Sequence, residues 1–162
     1  MCRIDQAQSP DDLPPRSGGM VTEDHLPDDW NLVSTTTSNV WMMGDGGTIA
    51  HLLEALRPSL AEPVVTTRSG DSLVLPNVRE VGTLVLFDAQ TLALADQHRL
   101  NSWLDEIGCR ARVISTSRAS VLPMIEAAMF LESLYYRLNT LHLHVGPANS
   151  DTTGRQGVAV HF

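Results

Sequence analysis

An α/β fold with a mostly parallel sheet is what the sequence predicts, on three observations. Short apolar, β-branched runs alternate along the chain with longer segments of helical period. Strands that alternate with helices are joined by right-handed crossovers, which lay them parallel in one sheet. The 162 residues, 43% of them hydrophobic and with no internal repeat, suit one core of ordinary size rather than two.

The elements follow in order. Residues 1–35 hold four of the nine prolines (Pro10, Pro14, Pro15, Pro27) in an acid-rich mixture without an apolar period. This reads as a flexible leader with an anchored turn around Leu26 to Leu32, because it buries too little to offset ordering. The folded domain spans 36–146. Asn39 to Met43 is a strand run ending in Gly44, and Thr48 to Arg57 carries Ile49, Leu52, Leu53 and Leu56 on one helical stripe before Pro58. Pro63 to Thr67 is a second strand; the turn Ser69-Gly70-Asp71 leads to a possible further strand at Ser72 to Leu75. Leu84 to Phe87 is a buried-type strand, followed by an amphipathic helix from Leu92 to Ile107 that Gly108 stops. Ala111 to Ser115 repeats the strand signal, Leu122 to Leu138 the helix signal, and Leu141 to Val145 the strand signal again. Residues 147–162 read as a loose tail, with Gly157 to Phe162 as an edge strand.

Composition excludes several chemistries. All 11 of the Lys+Arg total are arginine, so Schiff-base chemistry, a lysine base and a lysine phosphate clamp are absent. A formal net charge of -8 argues against a direct nucleic-acid footprint. Cys2 and Cys109 lie far apart without metal-ligand spacing, so two reduced thiols and a cytoplasmic setting are expected. No apolar run approaches the ~20 residues of a membrane span, and the acidic N-terminus lacks the order of an export signal. His142 and His144 alternate on a strand and share a face, but no third ligand is suggested and no metal is expected. His51 and His98 lack a serine or cysteine partner for triad chemistry.

Three stretches resemble the ATPase core of bacterial sigma-54-dependent transcriptional activators, a branch of the AAA+ superfamily. Phe130 to Asn139 (FLESLYYRLN) is similar to the family's F-R-x-D-L-Y-Y-R-L-N segment. Val81 to Glu106 resembles its GTLFLDE strand and following helix, and Arg112 to Ser117 (RVISTS) the strand leading to its first sensor. The glycine turn Gly44, Asp45, Gly46, Gly47 and Thr48 then falls where the family carries its phosphate loop. The resemblance covers Asn39 to Val145. It implies a three-layer P-loop NTPase sheet with helices on both faces, ATP at its carboxyl edge, ring assembly, and contact with sigma-54 through a GAFTGA loop.

The matching positions depart from that pattern at the places where chemistry happens. Aligned on Gly44, Ile49 takes the last glycine position of the phosphate loop and Ala50 the lysine position, leaving N–H dipoles alone to hold phosphate, with Asp45 adding repulsion. The family's strand-end Asp-Glu falls on Phe87-Asp88, or on Asp88-Ala89 if the register slips by one, so one carboxylate is lost. Asp88 is open to a second role as a helix N-cap. The sensor position falls on Arg118, the first family arginine on Leu131, and the second survives as Arg137, either an arginine finger at a subunit interface or a partner within its own fold. Arg68 to Gly82 is only 15 residues, too short for the sigma-contacting insertion, and no GAFTGA string occurs. The helical lid is expected to be missing.

Two functions fit. One is a catalytically silent activator-like domain acting through protein contacts, with intact activator subunits or with itself, and needing no cofactor. The other is a sensor holding ATP or ADP weakly through Gly44 to Thr48, Asp88 and Arg118 without turnover. An active ATPase is disfavoured.

Overall fold

The computed structural model describes residues 32–70, 73–145 and 158–161. Six strands form one sheet: β1 (Val40–Gly44), β2 (Val64–Arg68), β3 (Thr83–Phe87), β4 (Arg112–Ser117), β5 (Leu141–Val145) and β6 (Val158–His161), in the order β2-β3-β4-β1-β5-β6. The first five are parallel, and β6 pairs antiparallel with β5. The helices are α1 (Gly46–Leu56), α2 (Leu94–Ile107), α3 (Leu122–Glu126) and α4 (Glu132–Leu138).

Central strands covered on both faces need apolar side chains at nearly every position. β3 meets that need in Leu84, Val85 and Leu86; all six residues of β4 are buried as well, although Arg112, Ser115, Thr116 and Ser117 among them are polar. The two-residue period of a strand divides the core in two. Val40, Met42, Val85 and Ile114 pack with Ile49 and Leu56 of α1 on one face. Trp41, Leu84, Leu86 and Val113 pack with Leu100, Trp103, Leu104, Leu134 and Leu138 on the other. Helices thus cover both faces, as the resemblance implies.

Residues 32–35 form a helical turn whose Val33 is buried in the α1-side core. Arg112, buried at the start of β4, fastens this segment by donating to the carbonyls of Val33 (2.7 Å) and Ser38 (3.0 Å). Burial lowers its pKa to about 10, since a desolvated guanidinium loses hydration that carbonyl dipoles replace only in part.

Four local expectations are corrected. The possible strand at Ser72 to Leu75 does not form among the described residues of that run: Leu73 is buried in the core, and the chain crosses α2, where Trp103 Nε1 donates to the Pro76 carbonyl (2.8 Å). The helix expected from Leu122 to Leu138 is two helices. Ala128 adopts a left-handed φ of 55°, and the amides of Met129 and Phe130 both turn back to the Met124 carbonyl. Buried Gln97 of α2 holds that break open, donating to the carbonyls of Leu92 and Met129 and accepting from the Leu131 amide (2.7 Å). The helix expected from Leu92 begins at Leu94, behind a 3-10 turn at Ala89–Thr91. Finally, Cys109 is disulfide-bonded rather than a reduced thiol; Cys2 lies outside the described residues. The expected edge strand in the tail is present as β6.

Candidate functional site

Parallel strands end together, so β1, β3 and β4 deliver Asp45, Asp88 and Arg118 to one carboxyl edge, the place where open α/β sheets take ligands. The structure places Gly44 to Thr48, Asp88 and Arg118 at this edge, with Arg118 reaching from Asp88 towards Gly46.

The turn after β1 is very short. The strand ends at Gly44 and α1 begins at Gly46, so Asp45 alone bridges them. Asp45 sits in extended backbone (φ -67°, ψ 134°) as the N-cap, and its Oδ2 accepts from the amides of Gly47 (2.9 Å) and Thr48 (3.1 Å). These are the orphan donors that give a helix N-terminus its affinity for anions. Here they are satisfied by the chain's own carboxylate, which also offsets the positive end of the helix dipole. Gly44 has a separate reason to be glycine: a Cβ there would collide with the Val145 carbonyl of β5. Ala50 is exposed in α1 and brings no charge.

Asp88 follows β3 in the left-handed region (φ 54°), its amide donating to Thr116 Oγ1 (3.2 Å). It stands at the N-cap of the 3-10 turn Ala89–Thr91, yet its side chain caps nothing. The carboxylate is instead gripped from both sides. Arg68 of β2 approaches Oδ2 at 3.4 Å, and Arg118 after β4 approaches Oδ1 at 3.3 Å. Arg68 also lies over the Phe87 ring, 5.4 Å from its centroid. The Arg118 guanidinium comes within 3.8 Å of where a Cβ on Gly46 would stand, so it spans from Asp88 to the start of α1. Both arginines are mostly exposed, and such pairs contribute only ~0–1 kcal/mol each. The cluster is therefore a charge arrangement more than a structural support.

Arg68 escaped the sequence reading. The available signal was the parallel register, which sets Arg68 beside Phe87 and so next to the strand-end carboxylate.

Arg137 lies away from this edge. Its Nη1 is bound to Asp105 of α2 (2.8 Å) and to the carbonyl (3.1 Å) and side chain (2.9 Å) of Asn101. Around it, the segment Phe130 to Asn139 works as packing. Phe130 and Tyr135 meet the Trp41 ring edge-on at 6.2 Å and 5.5 Å between centroids. Burial raises the Tyr135 pKa, with the neighbouring Tyr136 adding to the rise and a hydrogen bond with Asn139 opposing it.

His51 and His98 are exposed on their helices. Among the described residues, no three His, Cys, Asp or Glu side chains gather as a metal cluster, and no helix is long and apolar enough to cross a membrane. A shallow depression of about 400 Å³ beside α2, lined by Leu75, His98, Trp103 and Glu106 among others, is remote from the carboxyl edge.

A family model described as the Sigma-54 interaction domain matches residues 24–148, more than half of the chain. Among curated proteins no relative matches. Solved structures similar to it include NtrX from Brucella abortus in complex with ADP, at a TM-score of 0.62 and 18% identity, covering 76% of this chain and 35% of that one. NtrX in complex with ATP gives a TM-score of 0.62 at 19% identity, covering 81% and 39%. The P-loop NTPase domain of the sigma-54 transport activator from E. coli gives 0.53 at 18% identity, covering 78% and 95%. At such identities the likeness is one of fold. The chain spans well under half the length of the NtrX chains it matches.

Proposed function

Because this chain belongs to the sigma-54 interaction domain family and carries its AAA+ P-loop NTPase fold, we propose that it is a catalytically silent member acting in bacterial transcription regulation through protein contacts. The observation that carries this reading is the self-capped start of α1: the Asp45 carboxylate already occupies the amides of Gly47 and Thr48. A triphosphate has to displace an anion to bind there, and no lysine is present to compensate. The second carboxylate needed beside Asp88 is absent, and Asp88 faces two guanidinium groups rather than an open metal position.

The domain we assign to this role is 36–146, joined by the turn at 32–35 that Arg112 holds against the core and by β6 of the tail 147–162, with the rest of 1–35 as its leader. Its partners in this reading are intact sigma-54 activator subunits or a second copy, without direct DNA or membrane contact, in the cytoplasm. Arg137 serves the fold through α2 and reaches a partner only if it leaves Asn101 and Asp105.

A second reading rests on Arg118. Its guanidinium beside Gly46 supplies a cation near the start of α1, which favours weak ATP or ADP binding without hydrolysis. Calorimetry with ATP, with and without magnesium, separates the two. The silent reading expects no heat beyond dilution and no phosphate release. Saturable binding lost in Arg118→Ala supports the sensor. Turnover abolished by Asp88→Ala refutes both.

A further inference from the structure

On one side the sheet ends at β2, and among the described residues only β3 pairs with that strand. Successive residues of a strand turn their backbone groups alternately to its two sides. The Ser69 amide donates to the Phe87 carbonyl and the Thr83 amide donates to the Pro63 carbonyl, so Pro63, Val65, Thr67 and Ser69 serve the ladder to β3. Val64, Thr66 and Arg68 accordingly point their amides and carbonyls outward, a row that templates pairing with another chain. Val64 to Thr67, four of the five strand residues, are β-branched, and no lysine or proline interrupts the strand to deter a partner. One outward amide is already filled: Val64 donates to Glu62 Oε2 at 2.9 Å, so a carboxylate stands where the carbonyl of an added strand would stand.

We propose that β2 is a homodimerisation edge, on which β2 of a second copy pairs antiparallel about a two-fold axis at Thr66. This rests on the part of the reading above that gives the chain a second copy as partner. A two-fold interface has to be complementary to itself. The register at Thr66 sets Thr66 opposite its own copy, the two exchanging amide and carbonyl, and Val64 opposite Arg68 of the second copy, so the strands overlap along their whole length. The Arg68 carbonyl of the second copy then takes over the Val64 amide. Released from that amide, the Glu62 carboxylate meets the Arg68 guanidinium of the same copy, and the two-fold axis repeats the exchange at the other end. The Arg68 side chain is 62% exposed and contacts Asp88 through Nη1, which leaves its other nitrogens for this pair. With its negative charge at one end and its positive charge at the other, the edge matches itself turned end for end, whereas a parallel copy would set arginine against arginine.

The full chain is examined by sedimentation equilibrium from about 1 µM to about 1 mM, because one short strand pair makes a small interface in dynamic exchange. The average mass should climb from one chain to two. Thr66→Pro removes an outward amide and leaves the β3 ladder its donors, so it should raise the dissociation constant at least about tenfold while a thermal melt of dilute protein stays that of the parent. Glu62→Arg and Arg68→Glu each place like charges at both ends of the pair and should be monomeric. Mixed in equal amounts they restore both opposite pairs, and a heterodimer should form. A parent that stays monomeric throughout, a dimer indifferent to Thr66→Pro, or a mixture that fails to recover overturns the proposal. A monomeric parent without ATP heat removes this interface alone, and a β2-paired dimer that hydrolyses ATP removes the silent reading alone.

Discussion

At the seam between α2 and the Phe130 to Leu138 segment, fully buried Gln97 satisfies three backbone groups and two aromatic rings meet Trp41 edge-on. At the carboxyl edge, by contrast, Asp45 caps its own helix and Asp88 is held by two exposed arginines. The first region keeps the packing residues of the family pattern. The second keeps the backbone path while its side chains neutralise one another. The difference teaches that similarity in this chain is concentrated where burial fixes residue identity. It is weakest where only a ligand would.

Four substitutions probe that contrast. The largest effect is expected for Phe130→Ala, which removes a buried ring against Trp41 and should cost about 3–5 kcal/mol by denaturant unfolding. A loss below ~1 kcal/mol would show that the seam does not hold the fold. Gln97→Leu should cost about 2–3 kcal/mol, because the amide of Leu131 and two carbonyls lose their partner inside the protein. Tyr135→Phe tests the same seam by pH. The Tyr135 pKa is raised on folding, so its contribution is full below the unfolded value of 10.0 and is lost as pH rises towards the folded value. Unfolding curves at pH about 9 and about 11 should therefore fall less steeply with pH in Tyr135→Phe than in the parent. Smallest is Arg118→Ala, expected within about 1 kcal/mol of the parent in a thermal melt because its ion pair is mostly exposed. A larger loss would make the carboxyl edge a structural element.

Much of the sheet was legible in the sequence, since β1 and β3 are dense apolar runs, β2 and β4 carry short β-branched runs, β5 alternates apolar residues with histidine, and α2 ends at Gly108, whose φ of 57° requires what glycine offers. The break after α3 was hidden because Ala127 to Leu131 reads as apolar helix; what opens it is Gln97, more than 30 positions distant in sequence, and helical period carries no trace of such a partner. At the candidate site, Asp45, Asp88 and Arg118 were legible through their places at strand ends. The roles were not: capping by Asp45 and the second grip of Arg68 on Asp88 are decided by side-chain directions and by register between strands distant in sequence. Arg137 was legible as a residue, and its attachment to α2 followed from the turn that Gln97 holds.

The close approach of β1 and β5 at Gly44 determines what mutation can erase. Any side chain at this position disrupts the sheet itself, so selection for a folded chain alone is enough to keep it. At Ala50, on the exposed surface of α1, lineages are free to drift once turnover no longer matters. A glycine held in place by the sheet thus reports on folding and not on turnover, and surveys of related genes that score it read architecture rather than activity.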